Sequence, residues 1–141
     1  MSLTNPETKT FRYPDGAVYA TLEHQQGIKE GKHCYYYPSG GLKATLSYHQ
    51  NLLDGLYILY WPTGQVKKQC FYTLGKLEGE DRAYNELNSL MRVFRWNRGV
   101  HEGEQDFFYA HGELREKFTF VEGTLKRVQR WNLQGILYFD Q

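Results

Sequence analysis

From Leu42 to Tyr48 apolar and polar side chains alternate, with Leu42, Ala44, Leu46 and Tyr48 on one side and Lys43, Thr45 and Ser47 on the other. A period of two marks a half-buried strand. The segment HQNLLDG, residues 49–55, breaks the alternation and reads as a loop, after which LYILYW, residues 56–61, reads as a second strand. WPTG, residues 61–64, then supplies a tight hairpin turn. Pro fixes φ at its second place and Gly accepts left-handed backbone at its fourth. The phrase is written twice: YYYPSGGLKATLSY at 35–48 returns as LYWPTGQVKKQCFY at 59–72, a step of 24.

The step runs through the whole chain. One column reads Gly16, Gly40, Gly64, Asn88 and Gly112, then Gly135 after a step of 23; a second reads Gly27, Asn51, Gly75, Gly99 and Gly123; a third reads Gly31, Gly55, Gly79 and Gly103, and breaks at Arg127. The two exceptions inside the first two columns are Asn, the residue after Gly that best tolerates positive φ, so these columns mark left-handed turns. A repeat of this length sets the fold before any local reading does. Residues 1–141 read as one domain with units starting near Tyr13, Tyr37, Trp61, Asn85 and Tyr109 and a half-unit at each end. Connections this short pair neighbouring strands antiparallel. The fold expected is all-β, an elongated, twisted antiparallel meander of about twelve strands and about 50 Å at a strand spacing of about 4.8 Å.

Ladders of like residues would hold such a sheet together. The first strands supply Val18, Leu42, Val66, Leu90 and Leu114, then Leu22, Leu46, Cys70, Phe94 and Phe118, then His24, Tyr48, Tyr72, Trp96 and Phe120; the second strands supply Tyr36, Tyr60, Tyr84, Phe108 and Trp131. Twist and curvature are expected to fold this side inward. Unit four, NELNSLMRVFRWNRG, lacks the Pro and the usual Gly and is the expected kink.

Composition narrows the function. Aromatics make up 16% of the chain, and the net charge of +1 gives no strong field toward nucleic acid or an anionic membrane. No apolar run approaches membrane-spanning length and the start, MSLTNPETKTFRY, is polar, so a cytoplasmic location is expected. Cys34 and Cys70 occupy non-equivalent points of the repeat and read as reduced core residues.

The unit Y-x-x-G-x-L followed by Y-x-x-G-x-x-x-G resembles the MORN repeat. The 24-residue spacing with a longer middle loop is similar to the MORN-variant repeats of the YwqK family of bacterial antitoxin components. The resemblance covers about residues 11–139, and departs from the pattern at Glu86, Leu87 and Asn88 and at Arg127. It implies an elongated antiparallel sheet used to bind protein, commonly to neutralise a toxin encoded beside it; analogy at the level of fold is a prior for function.

No catalytic or cofactor-binding pattern competes with binding. His24, His33, His49, His101 and His111 lack the spacing of a metal site, and no Gly-rich segment stands before a helix. His101 with Glu102 and His111 with Glu113 read as solvated turn residues.

Binding candidates are the residues that break the repeat. Lys43, Lys67, Arg95, Arg115 and Lys117 lie on the polar side of the first strands, with Tyr19, Phe71, Met91 and Val93 where other units are polar. Glu78, Glu80, Asp81, Glu102, Glu104 and Asp106 come from equivalent segments of two units and are expected to stack into one acidic strip. A cationic partner would relieve the repulsion in such a strip. The first hypothesis is an immunity protein whose acidic strip, with the aromatics Tyr57, Trp61 and Phe71, covers the basic cleft of a cognate toxin. The alternatives are an aromatic module that binds carbohydrate or cell wall and a scaffold that faces membrane or cytoskeleton through its basic strand face. Unpaired sheet edges would also allow oligomers.

Overall fold

The computed structural model describes residues 5–141. Thirteen strands form one open antiparallel sheet, and no helix occurs among the described residues. In chain order they are β1 (Glu7–Arg12), β2 (Val18–Gln25), β3 (Ile28–Tyr36), β4 (Leu42–His49), β5 (Leu52–Tyr60), β6 (Val66–Thr73) and β7 (Lys76–Tyr84). They continue as β8 (Leu90–Asn97), β9 (Val100–His101), β10 (Gly103–Phe108), β11 (Leu114–Val121), β12 (Thr124–Trp131) and β13 (Leu137–Asp140). Spatial order follows chain order, with β8 pairing both β9 and β10. The interruption at Glu102 splits one strand of the twelve-strand pattern into β9 and β10.

Two connections alternate. At one end of the sheet the aromatic-led turn closes by paired backbone bonds, as where Trp61 N donates to Gln65 O and Gly64 N to Trp61 O, each 2.8 Å. At the other end the segment read as a seven-residue loop is a two-residue turn: β4 runs to His49, Gln50 and Asn51 make the turn, and β5 begins at Leu52. Both central residues take positive φ, 48° and 67°, as a type I′ hairpin requires. Gln26, Leu74, Arg98 and Glu122 repeat this ahead of their glycines, at φ of 47–50°.

Two unbroken rows of cross-strand partners define the faces. One runs Phe11, Ala20, Tyr35, Ala44, Leu59, Lys68, Ala83, Arg92, Phe107, Glu116, Arg130, Phe139. The other runs Thr10, Thr21, Cys34, Thr45, Ile58, Gln69, Arg82, Val93, Asp106, Lys117, Gln129, Asp140. Neighbouring residues of a strand point oppositely, so these rows lie on opposite sides, here termed the aromatic face and the ionic face.

A bulge in each first strand corrects the strict alternation. The register skips Tyr19, Lys43, Lys67, Met91 and Arg115. A bulge turns its extra residue toward the side of its neighbour. Lys43 thus lies 5.9 Å from the Tyr37 ring centroid and Lys67 4.3 Å from that of Trp61, while Tyr19 packs 5.9 Å from Phe11. These residues join the aromatic face, and only Arg95, Lys117, Phe71 and Val93 of the expected polar-side set stay on the ionic one. Beyond the bulge the pairs Tyr84 with Leu90 and Tyr60 with Val66 change sides, which removes the column Val18, Leu42, Val66, Leu90 and Leu114 from the expected inner ladder.

No second layer covers either face. The surface is 9028 Å², against about 7,600 Å² for a compact protein of this mass. Buried apolar residues among those described are Ala20, Ala44, Cys70 and Val93, and buried polar ones are His24, His33, Thr45, Asp81, Gln105 and Asp106. In one layer a residue is enclosed only by longer neighbours on its own face, so small or polar side chains end up shielded by rings and aliphatic stems. Burial pushes the Cys70 thiol up to about 11, so alkylating reagents should spare it in the folded chain.

The glycine columns have the assigned geometry, with φ of 90° at Gly64 and 72° at Gly79. A Cβ at either would meet nothing within 4 Å, so the penalty of a side chain there is backbone strain alone. Gly64→Val and Gly79→Val should each cost about 1–2 kcal/mol in urea unfolding; unchanged midpoints would contradict that strain.

Candidate functional site

Of the charged residues singled out from the sequence, the ionic face carries Glu80, Glu104, Asp106, Arg95 and Lys117, acids together with their counter-ions. Pairing across strands gives five equivalent rungs: Thr8 with Glu23, Lys32 with Ser47, Leu56 with Phe71, Glu80 with Arg95, and Glu104 with Thr119. Two positions along the strands, and therefore on the same face, lie Ile58 with Gln69, Arg82 with Val93, and Asp106 with Lys117. Glu80 holds Arg82 at 2.5 Å and Arg95 at 3.6 Å; Arg95 reaches Asp106 at 2.8 Å; Lys117 joins Glu104 at 2.8 Å and Asp106 at 3.8 Å. Three carboxylates thus alternate with three cations. The repelling acidic strip expected from the sequence is a neutral network, because antiparallel register interleaves the basic residues of one strand type with the acids of the other.

The remaining acids serve elsewhere. Glu78 Oε2 accepts the backbone N–H of Arg98 at 2.8 Å and Glu102 Oε2 that of Glu122 at 2.7 Å. Glu30 does the same for Gln50 at 2.9 Å and Asp54 for Leu74 at 3.3 Å. An acid every 24 residues therefore fastens the next two-residue turn, at the residue forced to positive φ. This column is visible in the sequence, and it explains why Gln, Leu, Arg and Glu are tolerated where Asn or Gly is usual. Glu78→Ala should cost about 1 kcal/mol of stability, the scale of one charge-assisted hydrogen bond on an exposed turn; an unchanged melting temperature would remove the fastening role.

Asp81 lies on the aromatic face and is almost fully buried, at 1% exposure. Lys68 Nζ is 3.1 Å and an Arg92 nitrogen 3.9 Å from its two oxygens. The equivalent of Asp81 is His33, Tyr57 and Gln105 in other units, and the equivalents of Lys68 and Arg92 in units one and two are Ala20 and Ala44. His33 Nε2 donates to the Glu23 carbonyl at 2.8 Å, and the Gln105 amide accepts from Arg95 N at 2.7 Å and donates to Arg95 O at 3.0 Å. The position belongs to the interior of the ladder and is filled by whichever polar group its neighbours satisfy.

Of the three aromatic candidates, Tyr57 and Trp61 are built into the sheet. Tyr57 lies on the aromatic face, its ring 5.8 Å from that of Tyr72, and burial raises the pKa of its hydroxyl. Trp61 Nε1 donates to the Tyr84 carbonyl at 3.2 Å, as the Tyr13, Tyr37 and Tyr109 hydroxyls do to Tyr36, Tyr60 and Trp131. Asn85 stands in that column in unit four and instead accepts from the backbone of its own turn, at Leu87 and Ser89.

Phe71 is different. It is 46% exposed on the ionic face, paired with Leu56 at 40%, and theirs is the one apolar rung among the five. A depression of about 390 Å³ opens beside them, lined by Leu56, Gln69, Cys70, Phe71, Glu80, Arg82 and Tyr84. Leu56 is the apolar member that sequence reading missed; the signal is its cross-strand pairing with Phe71, which single columns do not reveal.

Among the described residues no group of three or more His, Cys, Asp or Glu is placed to hold a metal ion. Residues 29–50 and 53–74 match the family model of the MORN repeat variant. The matched segments are β3 with β4 and β5 with β6, offset by the same 24 residues. Repeats of this kind are generally protein- or membrane-binding modules. No curated protein matches the chain.

Proposed function

We propose that this chain is a non-catalytic protein-binding module, an immunity or antitoxin component that neutralises a cognate toxin by covering its active surface. The observation that carries the reading is the exposed Leu56–Phe71 rung, where every equivalent rung is polar or charged. Stability of the sheet does not call for two large apolar side chains in water at that place. A protein interface does, because exposed aromatic and aliphatic anchors beside a depression are where binding energy concentrates.

The neutral network beside the rung changes the electrostatics expected of the complex. With its acids already matched, this face offers apolar burial rather than a field, so affinity should vary little between low and high salt. The test is to express the product of the adjoining gene alone and together with this chain. Growth arrest relieved by co-expression, with a complex that survives high salt, supports the proposal. Failure of this chain to relieve a toxicity caused by its neighbour would defeat the immunity reading, and a complex that dissociates steeply with salt would defeat the apolar centre.

A further inference from the structure

Units four and five carry a second concavity on the opposite face. Phe94, Phe107, Phe118 and Phe120, with His101 and the buried Gln105, line a depression of about 190 Å³. The rings meet edge to face, Phe107 lying 5.2 Å from Phe94 and 5.6 Å from Phe118. Equivalent positions in the earlier units hold Leu, Tyr, Ala, Cys or His, with a single Phe at Phe11. Phenylalanine has no hydroxyl to bond across the sheet as the tyrosines do, so these rings make a dry floor, large enough for one phenyl or leucyl side chain.

Its rim is cationic. Arg92 lies over Phe94 at 4.3 Å and Arg115 over Phe107 at 5.7 Å. Among the described residues from Tyr37 onward, Lys43, Lys67, Lys68, Arg92, Arg115 and Arg130 are set on this face against Asp81 and Glu116, the latter 3.3 Å from Arg115, while Glu7 lies beside His24 at the far end. The whole chain is only +1, so the surplus on this face is offset by acids elsewhere, including the turn-fastening Glu30, Asp54, Glu78 and Glu102.

We propose that this aromatic depression and its arginine rim dock an acidic segment of a protein partner that inserts one apolar side chain between flanking carboxylates. Charge complementarity fixes the sign of the partner and the floor fixes the need for an apolar group. The cations already sit on the ring faces, which leaves no open stacking platform of the kind single-stranded nucleic acid uses. The apolar surface is concave rather than projecting, the reverse of what insertion into a bilayer requires. The site is separate from the Leu56–Phe71 rung, so either can fail without the other.

The experiment titrates the full chain with a capped Asp-Glu-Phe-Asp-Glu peptide by calorimetry. Controls replace the central Phe with Ala or all acids with Lys. Saturable binding by the first peptide alone is expected. Arg115→Glu, at a half-buried position, should weaken it by about tenfold or more, and Phe118→Trp, which fills the depression, should abolish it while the circular-dichroism spectrum is unchanged. Equal binding of the Ala peptide, indifference to both substitutions, no binding at millimolar peptide, or preferential capture of a thymidine oligonucleotide or of phosphatidylserine vesicles would each overturn the proposal.

Discussion

Replacing Lys68 and Arg92 together by Ala should lower the stability of the fold by roughly 3–5 kcal/mol, a large share of the roughly 5–15 kcal/mol that holds a domain of this size. Asp81 is 1% exposed, and its ion-pair partners are these two cations. Removing both leaves a carboxylate shielded from water by neighbouring rings with no charge to offset its desolvation. The repeat itself supplies the rescue. Unit one builds the same place from His33 between Ala20 and Ala44, so adding Asp81→His to Lys68→Ala and Arg92→Ala gives the position a composition the sheet already accommodates. The triple variant should return to within about 1.5 kcal/mol of the starting protein. Urea midpoints decide it: a double variant as stable as the parent would show that Asp81 does not depend on this pair.

The second large effect is on binding. Leu56→Glu with Phe71→Arg copies the Glu80–Arg95 rung one unit back along the sheet. Because the fold already carries that pair at an equivalent site, unfolding should shift by no more than about 0.5 kcal/mol. On the proposed immunity function, affinity for the cognate toxin should nevertheless fall by about 100-fold or more, as when two central anchors are lost together, and growth rescue should fail with it. Rescue and affinity that survive the exchange would remove this rung from the interface.

The meander, its period and its glycine columns are legible in the sequence because each rests on local backbone chemistry repeated several times. What the sequence leaves open is set across strands. The alternation Leu42, Lys43, Ala44 does not disclose that Lys43 is skipped by the ladder, so the faces of Lys43 and of Leu42 ahead of it are misread. The acids Glu78, Glu80 and Asp81 are near neighbours in the chain, yet one fastens a turn, one joins the neutral network and one is buried on the other face. Alternation separates Glu80 from Asp81, and only register shows which cation stands opposite each. The apolar rung is hidden for the same reason: Leu56 and Phe71 belong to different columns and become a pair only when β5 lies beside β6.

Each strand of the sheet packs substantially only on the strands next to it in sequence, β8 reaching β10 past the short β9. Contact order is therefore low for an all-β chain, and assembly can proceed hairpin by hairpin without closing a long loop, faster than β-sandwiches of similar size. The same connectivity lets early hairpins form while later ones are still being synthesised. Opening in the finished protein should start at β1 and β13 and advance strand by strand, so amide exchange should slow from both ends toward the middle. The Leu56–Phe71 rung, on β5 and β6, lies in that slow middle, and fraying at either end leaves it in place.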